Sequence, residues 1–294
     1  MSERKASTVR RRVEQVTVEG GDPARRERTD LLATEEPLEI RVVRAEDLRG
    51  GRIESAAATR VAVTMRTPGA DFELAAGFLH GEGLIDSGEA VSAIRYCVEA
   101  EQRYNVVNVV LAPGTPFDPA SLARNFYATS SCGVCGKASI EAAMGPACAR
   151  VESSLAVSPD VLVALPDRLR ARQAVFERTG GLHAAALFTA EGELLAARED
   201  VGRHNAMDKL VGASLLAGEL PWSGRVVLVS GRLSFELVQK AARAGAAVLA
   251  GVSAPSSLAV ELAEASGVTL VGFLRGNRFN VYAGRARVAP AVHT

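Results

Sequence analysis

Apolar positions change their rhythm once along this chain. In the first half they come in short alternating runs. Leu38-Glu39-Ile40-Arg41-Val42-Val43 alternates and reads as a strand, and Arg60-Val61-Ala62-Val63-Thr64-Met65-Arg66 reads as a second. Pro68-Gly69 marks a turn. A helix follows from Asp71, its apolar face carried by Leu74, Ala75, Phe78 and Leu79 and its start capped by Asp71. Ile94–Val98 and Tyr104–Leu111 predict a strand pair. Residues 35–125 therefore read as a smaller α+β domain.

The second half mixes continuous apolar runs with helical spacing. Pro159 to Arg178 predicts one helix through Leu162, Leu165, Leu169 and Val175. Strand His183–Phe188, a tight turn at Glu191-Gly192-Glu193 and strand Leu194–Ala197 follow. A helix is expected from His204 to Leu216, then strand Arg225–Ser230, helix Phe235–Ala244, strand Ala247–Val252 and helix Ser257–Ala265. Strands Thr269–Leu274 and Phe279–Tyr282 complete the pattern. Apolar strands alternating with helices imply a mostly parallel sheet covered on both faces, here an α/β domain over residues 159–285. The Gly/Ser-rich stretch 126–158 between the halves reads as a mobile loop. Residues 1–34 mix charge with Gly and Pro without a sustained period and read as a disordered tail, and 286–294 read as a C-terminal tail.

Composition narrows the function classes. At 294 residues and 48% hydrophobic, the chain can bury a full core. Lys plus Arg equals Asp plus Glu at 34 each, which argues against broad electrostatic binding to nucleic acid. No apolar run approaches the roughly 20 residues of a membrane-spanning helix. Arg10-Arg11-Arg12 is followed by Val13-Glu14-Gln15-Val16 rather than an apolar export segment, so a cytoplasmic protein is expected. Four cysteines are too few for a disulfide scaffold in a chain of this length.

Two of those cysteines stand as Cys132-Gly133-Val134-Cys135, followed by Gly136-Lys137. At i and i+3 both sulfurs can face one site, and a helix start plus Lys137 would favour the thiolate that attacks a persulfide or binds a metal. Redox, zinc and sulfur-transfer chemistry all stay open on this motif, beside two inert structural cysteines. A zinc site would need further ligands from Cys97, Cys148, His183 or His204, none of which forms a second closely spaced pair.

Three loops at strand ends carry polar chemistry. Asp200, Arg203 and His204 crowd around Gly202, where Asp200 could bond a base or ribose, Arg203 a phosphate, and His204 could move protons. Ser230-Gly231-Arg232-Leu233-Ser234 runs from a strand into a helix and could hold an anion. Phe273-Leu274-Arg275-Gly276-Asn277-Arg278 joins two strands and brings two arginines beside a Gly-Asn turn. Each loop is also explained by a solvated cap or hairpin turn. Together, at strand carboxyl ends, they suggest a large ligand with several phosphates.

Ser130–Lys137, Gly180-Gly181-Leu182-His183-Ala184, Asp200–Lys209, Ser230-Gly231-Arg232, Ser253–Ser257 and Asn280-Val281-Tyr282 occur in this order. The combination resembles the formate dehydrogenase accessory sulfurtransferase family, FdhD, over residues 37–284. That resemblance implies a sulfurtransferase of the cytoplasm with a cytidine deaminase-like three-layer C-terminal domain, acting as a homodimer. It implies that sulfur is taken from a cysteine desulfurase as a persulfide on Cys132, with Cys135 as its companion. The sulfur would pass to the molybdenum bis(guanine dinucleotide) cofactor, bound as substrate by Phe273, Leu274, Arg275, Gly276, Asn277 and Arg278, for a formate dehydrogenase catalytic subunit. No tightly held metal of the protein's own is expected. A cofactor chaperone without sulfur chemistry and a zinc deaminase-like hydrolase stand as alternatives; the hydrolase lacks the H-x-E signature.

Overall fold

The computed structural model describes residues 6–18, 20–49, 52–53, 58–97, 103–118 and 150–289. The Cys132–Cys135 motif lies outside the described residues.

The N-terminal segment is a hairpin, not the disordered tail its composition suggested. Strands β1 (Thr8–Thr17) and β2 (Ala24–Ala33) pair antiparallel along their whole length. Both faces are largely exposed, so no apolar alternation marks the strands, and charge pairs such as Arg25–Glu14 at 2.8 Å take its place.

The smaller sheet contains β3 (Glu36–Val43), β6 (Thr59–Arg66), β7 (Val91–Tyr96) and β8 (Val106–Leu111) in the order β6-β3-β8-β7. A two-residue ladder of β4 (Leu48–Arg49) and β5 (Arg52–Ile53) lies apart from it. Helix α1 (Asp71–Gly81) covers the sheet, and Leu38, Ile40, Leu74, Leu79, Val107 and Val109 form the core between them. Arg66 is buried in this unit because Asp71 receives its guanidinium at 3.0 and 3.1 Å while the Tyr104 carbonyl accepts a further bond at 3.1 Å.

Two helices, α2 (Pro159–Arg170) and α3 (Ala174–Thr179), stand where the apolar spacing suggested one. The chain bends at residues 171–173, and the Glu199 carboxylate accepts the free N–H groups of Val175 (3.1 Å) and Phe176 (2.8 Å) at the new helix start. The larger sheet holds β9 (His183–Phe188), β10 (Leu194–Asp200), β11 (Val226–Val229), β12 (Val248–Gly251), β13 (Thr269–Arg275) and β14 (Arg278–Ala283). Their order is β10-β9-β11-β12-β13-β14. Of the five pairings only β11–β12 and β12–β13 are parallel, so the sheet is mixed rather than mostly parallel. Hairpins at both ends supply the antiparallel edges, and a hairpin leaves the apolar run of each strand unchanged.

Burial on both faces follows from the strand alternation. Ala185, Leu187, Val227 and Val229 face α4 (Arg203–Leu216), α5 (Phe235–Arg243) and α6 (Ser257–Ser266). Ala184, Ala186, Phe188, Val226 and Leu228 face Leu162, Leu165 and Leu169 of α2. The last part of the expected loop 126–158 and the start of the expected C-terminal tail are held together. Val157 bridges Val288, and Arg287 donates to the carbonyls of Ser153 (3.1 Å) and Val151 (3.2 Å). No helix among the described residues is long and apolar enough to cross a membrane.

The two units meet where α1 crosses α4. A Cβ on Gly77 would overlap the Asp208 carbonyl, and one on Gly212 would overlap that of Glu73, so the backbones touch. Arg198 clamps Glu73 alongside, its second nitrogen at 2.9 Å. Beneath the crossing, Lys240 reaches Asp208 at 2.7 Å with both side chains nearly sealed from solvent. Burial pushes the Lys240 ammonium down, but the Asp208 and Glu82 carboxylates push it further up, and the net shift is upward.

Candidate functional site

Parallel strands β11 and β12 end at Val229 and Gly251. Antiparallel pairing brings the start of β9 and the end of β10 to the same side, because His183 pairs with Asp200 and Ala185 with Val229. The three polar loops of the sequence thus do gather at one end of one sheet. A cleft of about 520 Å³ opens there, lined on the sheet side by His183, Val201, Ser230 and Val252 and on the helix side by Leu169, Arg170, Gln173 and Phe176. That size and largely apolar wall suit a small-molecule site.

Asp200 does not face this cleft as a ligand group. It is fully buried, 2.7 Å from Lys209 Nζ, and accepts the N–H groups of Thr67 (3.1 Å) and Gly202 (2.9 Å) and the Asn205 amide (2.9 Å). Its oxygens are occupied by the scaffold, so it sets the shape of the Gly202 loop and ties β10 to the smaller unit. Lys209 completes the tie by donating to the Thr67 carbonyl at 2.9 Å, and Asn205 by donating to that of Met65 at 2.7 Å.

Arg203 and His204 are half-buried at the start of α4. Arg203 Nε is buried and has no hydrogen-bond partner. His204 Nε2 lies 2.9 Å from Ser234 Oγ and 3.3 Å from Glu236 Oε2. The hydrogen bond from His204 holds the Glu236 carboxyl down to about 2. His183 sits at the sheet end of the cleft, its Nδ1 3.5 Å from Ser230 Oγ. Burial, and then the positive charge of Arg203, depress its pKa below 6.5, so it stays neutral near physiological pH. Gly231 lies against both residues: a Cβ there would stand 3.4 Å from Arg203 Cδ and from His183 Nδ1.

Arg232 is exposed at the following turn. The segment 273–278 forms the turn between β13 and β14, with Gly276 in the left-handed region at φ 55°. Phe273 shares that region at φ 52° and is 40% exposed, a strained backbone presenting an aromatic ring. Leu274 is fully buried in the core and cannot meet a ligand. Arg275, Gly276, Asn277 and Arg278 are exposed, and Arg275 Nε donates at 2.7 Å to the carbonyl of Val252, a cleft-lining residue. The turn therefore adjoins the cleft. Gln173, Phe176, Glu236 and Lys240 gave no motif signal, because each joins the site or its support only through folding. Among the described residues no cluster of three or more His, Cys, Asp or Glu could hold a metal ion, and Cys97 is buried in the smaller unit.

This geometry has relatives. The chain is 56% identical over 268 residues to the sulfur carrier protein FdhD of Streptomyces avermitilis, covering 89% of this chain and 90% of the relative. It is 52% identical over 269 residues to the protein of that name from Mycobacterium tuberculosis, covering 89% and 92%. The crystal structure of a protein described as a formate dehydrogenase accessory protein, from Desulfotalea psychrophila, shares the fold with a TM-score of 0.69 and 24% identity, over 95% of this chain and 99% of that one. A family model described as the FdhD/NarQ family matches residues 34–289, and the chain belongs to that family.

Proposed function

We propose that this protein carries sulfur as a persulfide on Cys132 and delivers it to the molybdenum bis(guanine dinucleotide) cofactor destined for a formate dehydrogenase. The observation that carries the proposal is the kinship with proteins named sulfur carriers, in a chain that keeps Cys132 and Cys135 in a Gly-rich setting. In the first step the Cys132 thiolate attacks the outer sulfur of a cysteine desulfurase persulfide. The S–S bond of the donor breaks, its cysteine leaves as a thiolate, and Cys132 becomes the persulfide. No net oxidation occurs in this exchange. Cys135 either takes part in the release or tunes the Cys132 thiol.

The cofactor is the acceptor substrate. Its phosphates suit the exposed Arg275, Arg278 and Arg232 and the half-buried Arg203, whose Nε has no hydrogen-bond partner. We assign the larger unit to the cytidine deaminase-like class, supported by its antiparallel β9–β10 edge beside parallel β11, β12 and β13. The working protein is a homodimer in the cytoplasm.

Intact mass after incubation with a cysteine desulfurase and cysteine tests the carrier step. The expected result is a reductant-labile sulfur adduct that Cys132→Ala abolishes. No adduct on the wild-type protein, with a donor shown to be active, would sink it. A Cys132→Ala protein that still matured formate dehydrogenase fully in cells would leave chaperoning instead.

A further inference from the structure

Helix α3 is held differently from α2 beside it. It runs over Ala174–Thr179, and none of its residues is buried. Its neighbour α2 drives Leu162, Leu165 and Leu169 into the core. An isolated helix needs roughly 12–15 residues to persist in water, and a shorter one is normally held by a buried apolar face. Helix α3 has neither the length nor the face.

What holds it is largely polar. The Glu199 carboxylate, on β10, accepts the N–H groups of Val175 at 3.1 Å and Phe176 at 2.8 Å. Thr179 Oγ1 donates to the Val175 carbonyl at 2.8 Å, and the Gly180 N–H donates to the Phe176 carbonyl at 2.6 Å. The Arg170 guanidinium lies 4.5 Å from the centre of the Phe176 ring. Strand β2 of the largely exposed hairpin lies against the helix. Of these contacts only the Glu199 pair ties α3 to the larger sheet. Glu199 is itself well anchored, because the next residue, Asp200, is fully buried against Lys209.

Both ends of α3 have a place to bend. The chain turns at residues 171–173 before it, and Gly180 follows it at φ 66°, a left-handed conformation that glycine adopts without strain. Gln173 is buried at the first bend and gives a fixed pivot, its N–H donating to the Arg170 carbonyl at 3.1 Å. Between the two bends, α3 carries Phe176 into the wall of the cleft that also holds His183 and Ser230.

We infer that α3 is a hinged gate on the cleft, latched by the Glu199 carboxylate. Opening breaks the two hydrogen bonds from Val175 and Phe176 and takes the Phe176 ring off the cleft; closing restores both. Charge-assisted bonds at two adjacent N–H groups keep the closed state dominant and still allow release. The gate controls access to the cleft whatever enters it, and only the identity of the entering ligand rests on the cofactor reading above.

Two measurements without ligand test the gate. In peptide-resolved hydrogen exchange of the wild type, residues 174–179 should exchange about tenfold or more faster than α2. Glu199→Gln should raise the exchange of 174–179 about tenfold further and leave α2 and β9 unchanged. Arg170→Met removes the contact with Phe176 in a protein whose latch is intact, and should raise it about two- to fivefold. Access to the cleft is read by carbethoxylation of the neutral His183 imidazole with diethyl pyrocarbonate, followed by peptide mass. Its rate should rise in step with exchange in both variants. The gate is overturned if 174–179 exchanges as slowly as α2. It is overturned too if Glu199→Gln loosens α2 and β9 equally, since Glu199 then holds the whole fold. Faster exchange with His183 reacting at the wild-type rate would reduce α3 to a fraying helix. Absence of GDP binding in a separate titration would sink the cofactor reading and leave the gate standing.

Discussion

The helix crossing and the cleft end of the larger sheet treat polar groups in opposite ways. At the crossing every strong charge has a partner: Arg198 with Glu73, Lys209 with Asp200, Lys240 with Asp208. At the cleft end of the larger sheet Arg203 Nε has none, and Phe273 holds a left-handed backbone. One region uses its polar chemistry to fix two units in register. The other leaves a guanidinium nitrogen unpaired and a backbone strained, at a cost in stability.

The comparison can be broken most severely at the crossing. Gly212→Val should remove more than about 5 kcal/mol and abolish cooperative urea unfolding, because the new side chain meets the Glu73 carbonyl. A normal unfolding midpoint would mean that the helices can separate without loss. Next, Lys240→Met should cost roughly 3–5 kcal/mol by stranding the buried Asp208 carboxylate. Adding Asp208→Leu should restore much of that loss; failure to recover would show that packing, not charge, dominates there.

Predictions for the open region are smaller and run the other way. Phe273→Gly should raise stability by about 1 kcal/mol, since glycine adopts φ 52° without strain. A loss measured by thermal melting would assign the ring a structural contact instead. The smallest effect concerns protons. His183 should titrate below 6.5 in a proton NMR experiment, owing to burial and the Arg203 charge. The unfolded chain then binds the His183 proton first on acidification. Its contribution to stability is full above pH 6.5 and declines as pH falls below it. A midpoint above 6.5 would mean that a carboxylate, not burial, governs the site.

Particular residues show how far the chain could be read without its fold. Most strands between Leu38 and Tyr282 and the longer helices between them are legible because each is a buried apolar run or buries a face of fixed period. The β1–β2 hairpin is not legible, since water covers both of its faces and period 2 leaves no trace in hydrophobicity. The break between α2 and α3 is hidden for a different reason: a carboxylate 23 residues away, Glu199, completes the second helix. Asp200 looks like a ligand group in one dimension, and the fold turns it inward onto Lys209.

By itself the sequence determined the alternation of strands and helices, the C-x-x-C spacing of Cys132 and Cys135 and the family, because local periodicity and motif spacing survive without neighbours. Tertiary structure alone decided that β9 and β14 run against the parallel strands, that Gly77 and Gly212 let two helices touch, and that Asp200 turns inward onto Lys209. Hydrogen-bond saturation is a property of a neighbourhood, and neighbourhoods exist only once distant residues have met.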